Sequence, residues 1–473
     1  PGGHAPARPP DGQAAARTTD LRAGAPNTVS DTALTPEDIK RLVAEHDIRF
    51  VRMWFTDILG RLKSFAVSAS ELDDAFTEGM GFDGSSITGF NAVEESDMIA
   101  MPDPSTFAVL PWSPEEHKVA RIFCDVQTPE GTPYEGDPRY ILRRAIKRMH
   151  SMGFDTFNVG PELEYYLFKD SKDTEVLDEG GYFDLTALDA GSDVRRHTSL
   201  ALEQLGMTVE YSHHEGGPSQ HEIDIRYADA LKTADDCMTY RLTVKEIAMQ
   251  HGLHATFMPK PIAGENGSGM HTHLSLFKDG RNAFYNPDDR YYLSDIGKAF
   301  IAGQLRHARE MSAVFAQWVN SYKRLTPGYE APVYVAWSRR NRSAMVRVPM
   351  YHPGKESTTR MELRSPDPGC NPYLTFALLL HAGLDGIEKG YELPEPMERN
   401  LYHLSPDDRR RLGIELLPET LGEAIELAAD SELVLRALGE HTLDRLVEIK
   451  REEWEDYRVQ VTRWELDRYL PVL

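Results

Sequence analysis

Hydrophobic and polar positions along the chain fall into two regimes. From Ile48 to about Val126 the apolar residues come in short alternating runs, "IRFVRMWFTD", "LKSFAVSA", "FAVLPW" and "VARIFCDV", which predict the strands of a small sheet. A helix is expected ahead of them in "LTPEDIKRLVAEHDI", where Thr35-Pro36-Glu37-Asp38 supplies a cap, an early proline and first-turn acids. The turn-rich "QTPEGTPYEGDP", 127–138, closes this part. From Arg139 the pattern changes. Amphipathic helices such as "RYILRRAIKRMHSMG" and "VRRHTSLALEQLG" alternate with the β-like runs "NVGPELEYYLF", "MTVEYSHHE", "QHEIDIRYA", "HATFMPKP" and "HTHLSLF". That predicts an α+β domain around a large sheet. The last third reads as helical, in "NPYLTFALLLHAGLDGIEKG" and "LVLRALGEHTLDRLVEIKREEWEDY". Residues 1–34 are rich in Pro, Ala and Gly and predict a disordered tail, so the expected domains are 35–136 and 137–473.

Composition narrows the class. At 473 residues, 41% hydrophobic and 27% charged, the chain reads as a soluble globular protein of two domains. A formal net charge of −23 argues against nucleic acid and anionic membrane as partners, and leaves cations and cationic substrates open. No apolar run approaches the ~20 residues of a membrane span. Cys124, Cys237 and Cys370 show no metal-ligand spacing and are expected as reduced, buried thiols of a cytoplasmic protein.

The candidate chemistry is acidic. In "GPELEYYLF" the period of a strand puts Glu162 and Glu164 on one face and Leu163, Tyr165 and Leu167 on the other. Two carboxylates side by side in an apolar segment require a positive partner or a retained proton. "SHHEGGPSQHEID" ends one β-like run at Glu215 and begins the next at Glu222 across a short turn, which brings these two together. "NGSGMHTHLSL" places His271 and His273 on one strand face, and "RMELRSPDP" sets Glu362 between Arg360 and Arg364. Any one of these glutamates reads most simply as a solvated residue or an arginine partner. Five carboxylates and a histidine together read as a site for two divalent ions, Mg²⁺ or Mn²⁺.

A basic group accompanies them. Lys323, Arg324 and Glu330 lie in "NSYKRLTPGYEAPV", Arg342 and Arg347 flank "SAMV", and Arg360 and Arg364 follow in "TTRMELR". Arginines beside divalent ions suit the movement of a phosphoryl group. Neither a P-loop nor a strand-linked G-x-G-x-x-G is present, so the scaffold for that chemistry is a different one.

Seven motifs in order now identify a resemblance: "FDGSSITGF", "EESDM", "GPELEYYLF", "SHHEGGPSQHEID", "KPIAGENGSGMHTHLS", "NSYKRLTPGYEAPVYVAWSRRNRS" and "RMELRSPDPGCNPYL". From about Thr35 to its end the chain resembles type I glutamine synthetases. The resemblance implies a small β-grasp-like domain, and a catalytic domain whose antiparallel sheet forms a funnel. It implies a dodecamer of two hexameric rings with active sites between subunits. Carried over motif by motif, Glu164, Glu215 and Glu222 would hold a first metal, and Glu162, His271 and Glu362 a second. Asn266, Gly267, Arg324 and Arg364 would hold L-glutamate. Glu210, His273, Ser275, Arg342, Arg347 and Arg360 would meet ATP or the transferred phosphoryl group. Asp83, Ser86 and Glu330 would receive ammonium, with Asp83 removing its proton.

The same family includes ligases that join glutamate to polyamines, ethanolamine or other amines, and "HHEGGPSQ" and "RVPMYHP" are similar to such paralogues. Intact "DGSS", "NGSGMH" and "PGYEAP" favour ammonium, whereas Ala263, where many members have Phe, leaves extra room. Tyr402 stands at the family's adenylylated tyrosine, but the connection after Phe168 is shorter than that of modified members. Ala92 replaces a feedback arginine of Gram-positive members.

Overall fold

The computed structural model describes residues 34–90, 97–114, 116–185, 189–328, 331–351, 353–399 and 401–473. The tail expected over 1–34 lies outside them except for Leu34, which packs on the core of the small domain.

Thr35 caps the first helix, Pro36–Glu45, through a reciprocal capping box with Asp38, as its sequence predicts. Strands β1 (Phe50–Thr56), β2 (Leu62–Ser68), β3 (Met80–Asp83), β4 (Asp97–Pro102), β5 (Ala108–Val109) and β6 (Val119–Gln127) then form the first sheet. Its order is β2-β1-β6-β4-β3, with β5 paired to β6. The central β1–β6 pair is parallel and the other pairs are antiparallel, the arrangement of a β-grasp domain.

The second sheet is built from β7 (Thr156–Phe168), β8 (Val209–His214), β9 (Gln220–Ile225), β10 (Ala228–Asp229), β11 (His254–Thr256), β12 (Met270–Lys278), β13 (Arg281–Asn282), β14 (Tyr334–Ser338), β15 (Ala344–Arg347) and β16 (Met361–Leu363). The path is β14-β15-β16-β12-β7-β9-β8. It is antiparallel apart from the β14–β15 pair, the one departure from the expected antiparallel sheet. Helices Pro138–Ser151 and Ala230–Gln250 pack against β7, and the Tyr240 hydroxyl of the second donates to the Leu163 carbonyl at 3.2 Å.

Two 21-residue helices, Ala230–Gln250 and Asp295–Phe315, had no counterpart in the predicted elements. The first buries Thr233, Asp235, Asp236, Thr239 and Thr243 along with its apolar residues, which hides an amphipathic stripe. The helical stretch read from Leu433 to Tyr457 is two helices, Glu432–Leu438 and Glu440–Arg458. Gly439 separates them at φ +85°, a backbone conformation a helix cannot contain.

A buried ion cluster ties the two sheets' domains together. Arg139, 3% exposed, donates to Asp103 and Asp125 of the small domain and to both oxygens of Asp235 in the large one. The Tyr373 hydroxyl donates to Asp235 at 2.6 Å. The tip of the β1–β2 hairpin is held by Asn371, which donates to the carbonyls of Asp57 and Ile58, and by Gln317, which donates to Leu59.

Candidate active site

β7 is the spine of the site. Its alternation sends Leu163, Tyr165 and Leu167 into the core and leaves Glu162 and Glu164 facing a cavity of about 410 Å³. Cross-strand register then assembles the rest. β12 sets His271 opposite Glu162, and β9 sets Glu222 opposite Glu164. β16 places Glu362 opposite His273, and β15 places Arg347 opposite Glu362. The short β8–β9 turn brings Glu215 beside Glu222, as its length requires.

Two triads have ligand atoms within 4.8 Å of one another: Glu162–His271–Glu362 and His213–Glu215–Glu222. Glu164 shares the cavity with both. The triads differ in how their charge is met. Burial works against ionising Glu162, but His273 and His271 more than offset it and hold the carboxyl well below its usual range. Glu362 is lowered in the same way against burial, by His273, His271 and Arg364. Arg347 Nε also donates to Glu362 Oε2. On the other side, burial and then the charge of Glu215 push Glu164 up to about 8. Burial, Asp224 and Glu164 raise Glu222 well above the carboxylate range. A buried anionic set whose members resist ionisation is one that a divalent cation fits.

The substrate-side residues surround the same glutamates. Asn266, Gly267, Arg324 and Arg364 line a recess with Glu164 and Glu215. Arg324 donates to the carbonyls of Ser365 at 2.8 Å and Arg364 at 2.9 Å, so part of its guanidinium fixes the backbone there. A third cavity, of about 320 Å³, is lined by Glu210, His273, Ser275, Arg360 and Tyr227. In it Arg360 donates to His273 Nδ1 at 3.2 Å, and the opposite nitrogen of that ring donates to Glu162 at 2.7 Å. Arg342 and Arg347 line the acidic cavity instead.

Not every candidate is gathered there. Asp83 and Ser86 stand at the end of β3 in the small domain and line none of these three cavities. Asp83 accepts hydrogen bonds from the Ser85 hydroxyl and N–H, which hold its carboxyl below the usual range. Glu330 and Ala92 lie outside the described residues. The Tyr402 hydroxyl donates to the carbonyl of Ala331 at 2.7 Å.

Three side chains at the site escaped the sequence reading. Gln220 donates from one amide nitrogen to Glu164 Oε2 at 2.9 Å and to the Gly267 carbonyl at 3.1 Å, joining the acidic cavity to the recess. His213 lies 3.3 Å from Glu215 and 3.5 Å from Glu222. Asp224 lines both larger cavities of the site, and strand period two from Glu222 was the signal that could have found it. A larger cavity of about 680 Å³, walled by Leu59, Phe257 and Trp318 with Arg241 and Lys245, takes Lys323 from the basic group and none of the residues assigned to metal, glutamate, ATP or ammonium.

A carboxylate-lined cavity that also holds Arg342, Arg347 and Arg364 suits cation-assisted phosphoryl transfer. Residues 47–129 match the family description "Glutamine synthetase, beta-Grasp domain", and residues 135–469 match "Glutamine synthetase, catalytic domain". A glutamine synthetase of Mycolicibacterium smegmatis is 55% identical over 440 residues, 92% of this chain and 98% of that one. That of Methanosarcina mazei is 52% identical, covering 93% of this chain and 98% of its own. That of Thermotoga maritima is 48% identical, covering 92% and 100%. A solved structure described as a GmaS/ADP complex superposes with a TM-score of 0.84 at 33% identity, over 92% of this chain and 99% of that one. The chain belongs to the glutamine synthetase family.

Proposed function

We propose that this enzyme joins ammonia to the γ-carboxylate of L-glutamate in an ATP-dependent reaction, giving glutamine, ADP and phosphate. Its near-full-length relatives at 48–55% identity, all named glutamine synthetases, carry this reading against an organic-amine acceptor. The working division is a β-grasp domain over 35–136 and a catalytic domain over 137–473. No helix among the described residues is long and apolar enough to cross a membrane, and three buried free thiols suit a reducing, cytoplasmic setting.

Glu164, Glu215 and Glu222 would hold one Mg²⁺ or Mn²⁺, and Glu162, His271 and Glu362 a second. Such ions supply charge neutralisation at the phosphoryl oxygens. The chain's own groups do the rest. Asn266, Gly267, Arg324 and Arg364 orient glutamate with its γ-carboxylate toward the γ-phosphate of ATP, whose nucleotide lies along Glu210, His273, Ser275 and Arg360. The carboxylate attacks, ADP leaves, and Arg342 and Arg347 stabilise the charge that develops. Asp83, kept anionic by Ser85, and Ser86 collect ammonium. Asp83 takes its proton, and the ammonia displaces phosphate from γ-glutamyl phosphate. Glu330 closes the site against water. Asp83 and Ser86 line none of the three cavities described above, which supports completion of the site by the small domain of a neighbouring copy in a ring assembly, a dodecamer by family resemblance.

The test is phosphate release from ATP and glutamate with ammonium, methylamine, ethanolamine, putrescine or spermidine at matched concentrations. Turnover with ammonium and none with the organic amines is expected. Turnover with an organic amine alone would replace the acceptor.

A further inference from the structure

On the opposite face of β8 and β9 from the acidic cavity lies a second cluster of titratable side chains. His213 and Glu222 are cross-strand partners, and so are His214 and His221, the next pair along. Alternation therefore turns His214 and His221 away from the cavity. Both rings are buried, 1% and 0% exposed, and Asp178 joins them from the segment that follows β7. Ligand atoms of the three lie within 4.8 Å of one another.

This cluster has the look of a metal site, and its hydrogen bonds exclude one. Arg195, which is only a donor, gives a hydrogen bond to His221 Nδ1 at 2.8 Å. The neutral His221 ring then carries its proton on Nε2 and has no lone pair to offer there. His214 Nδ1 faces the carbonyl of Glu215 at 2.7 Å, and Nε2 faces Asp178 Oδ1 at 2.8 Å. Both acceptors are oxygen, so both nitrogens of His214 donate. Neither ring has a lone pair free for a cation.

What the cluster does is grip the backbone. Asp178 Oδ1 also accepts the N–H groups of Gly180 at 3.1 Å and Ser219 at 3.2 Å, and the Ser219 hydroxyl accepts those of Leu177 and Asp178. The β8–β9 turn is thus tied at Ser219 and, through His214, at the carbonyl of Glu215. The second ring is braced alike, since Arg195 makes a two-pronged pair with Asp189. Two glycines let the segment come this close. A Cβ on Gly180 would stand 2.7 Å from His214 Nε2, and one on Gly191 would stand 2.3 Å from His221 Cε1.

We infer that Asp178 and His214 are positioning residues for the cation held at Glu215, fixing that glutamate through its own main chain from behind the sheet. The inference rests on the assignment of Glu215 as a cation ligand. Outer partners of this kind typically change metal affinity 10–100-fold when removed.

The experiment is titration of the full-length, metal-stripped protein with Mn²⁺ alone, followed by electron paramagnetic resonance, alongside thermal melting. His214→Leu and Asp178→Leu are expected to raise one Mn²⁺ dissociation constant about 10–100-fold and to leave the other unchanged. Asp178→Asn, which keeps an oxygen acceptor, should stay close to the parent. Glu215→Gln separates the two levels of the account. If it weakens Mn²⁺ and the leucine variants do not, the positioning role is overturned while the ligand assignment stands. If Glu215→Gln has no effect either, the ligand assignment itself has failed. Zinc retained by the triad after chelation and lost in His214→Leu would likewise overturn the inference. Should the leucine variants not fold, Ser219→Ala removes only the turn's hydroxyl anchor and carries the same comparison. A raised dissociation constant supports the brace, and an unchanged one sinks it.

Discussion

Cation binding at the Glu164 side of the cavity should be strongly coupled to protons. Glu164 is 8% exposed, and burial followed by the charge of Glu215 pushes its carboxyl up to about 8. Below that pH it holds a proton that an incoming cation must displace. The group's raised value means affinity is complete above it and lost as pH falls through it. With one such proton the apparent dissociation constant scales as 1 + 10^(pKa−pH), about elevenfold weaker at pH 7 and about 100-fold at pH 6 than in the deprotonated site. About 0.9 proton should be released per cation at pH 7. Glu222, raised as well, steepens the slope. Calorimetric Mn²⁺ titrations in buffers of differing ionisation enthalpy measure both quantities. Glu164→Gln should flatten the slope by about one proton and weaken binding even at high pH. An affinity that is constant from pH 6 to 8, with no protons released, would mean that Glu164 holds no proton for a cation to displace.

Gln220→Leu removes the shared donor between Glu164 and the Gly267 carbonyl. It should raise the apparent constants for both cation and glutamate, by steady-state kinetics, with little change in assembly. Gly267→Ala places a Cβ 2.6 Å from the Pro259 carbonyl and 2.8 Å from Arg324 Cγ, so KM for glutamate should rise well ahead of KM for ATP. Arg139→Met takes the two-pronged partner from Asp235, while Arg143 still pairs Asp103 and Asp125, and should cost about 3 kcal/mol, read as a fall in Tm. Asp83→Ala and Glu164→Ala subunits, inactive separately, should regain about a quarter of parental activity when refolded together at equal ratio, because a random ring pairs one intact half-site with another that often. No recovery would place Asp83 in its own subunit's chemistry or outside it.

The strands were legible because their faces differ. In β7 and β12 one side is core and the other acidic or histidine-bearing, so period two stands out, whereas the grouping of Glu162 with His271 came from the family motifs alone. The helix Ala230–Gln250 was not legible because threonines and aspartates sit among its buried residues, satisfied by partners such as Arg139 and Val159 that sequence cannot supply. The glutamates and arginines of the site were readable from motif, whereas Gln220 and His214 act through backbone carbonyls and a neighbouring carboxylate, contacts that exist only once β7, β8 and β9 have come together. Gly439 marked a helix break that the apolar pattern runs straight across.

The proposed reaction requires ATP to phosphorylate a γ-carboxylate oxygen of glutamate before ammonia attacks. The direct measurement is turnover with ammonium and glutamate labelled with ¹⁸O in the γ-carboxylate, with mass analysis of the phosphate released. One labelled oxygen per phosphate, appearing in step with glutamine, is the expected result. Unlabelled phosphate accompanying glutamine formation would rule out γ-glutamyl phosphate as the intermediate.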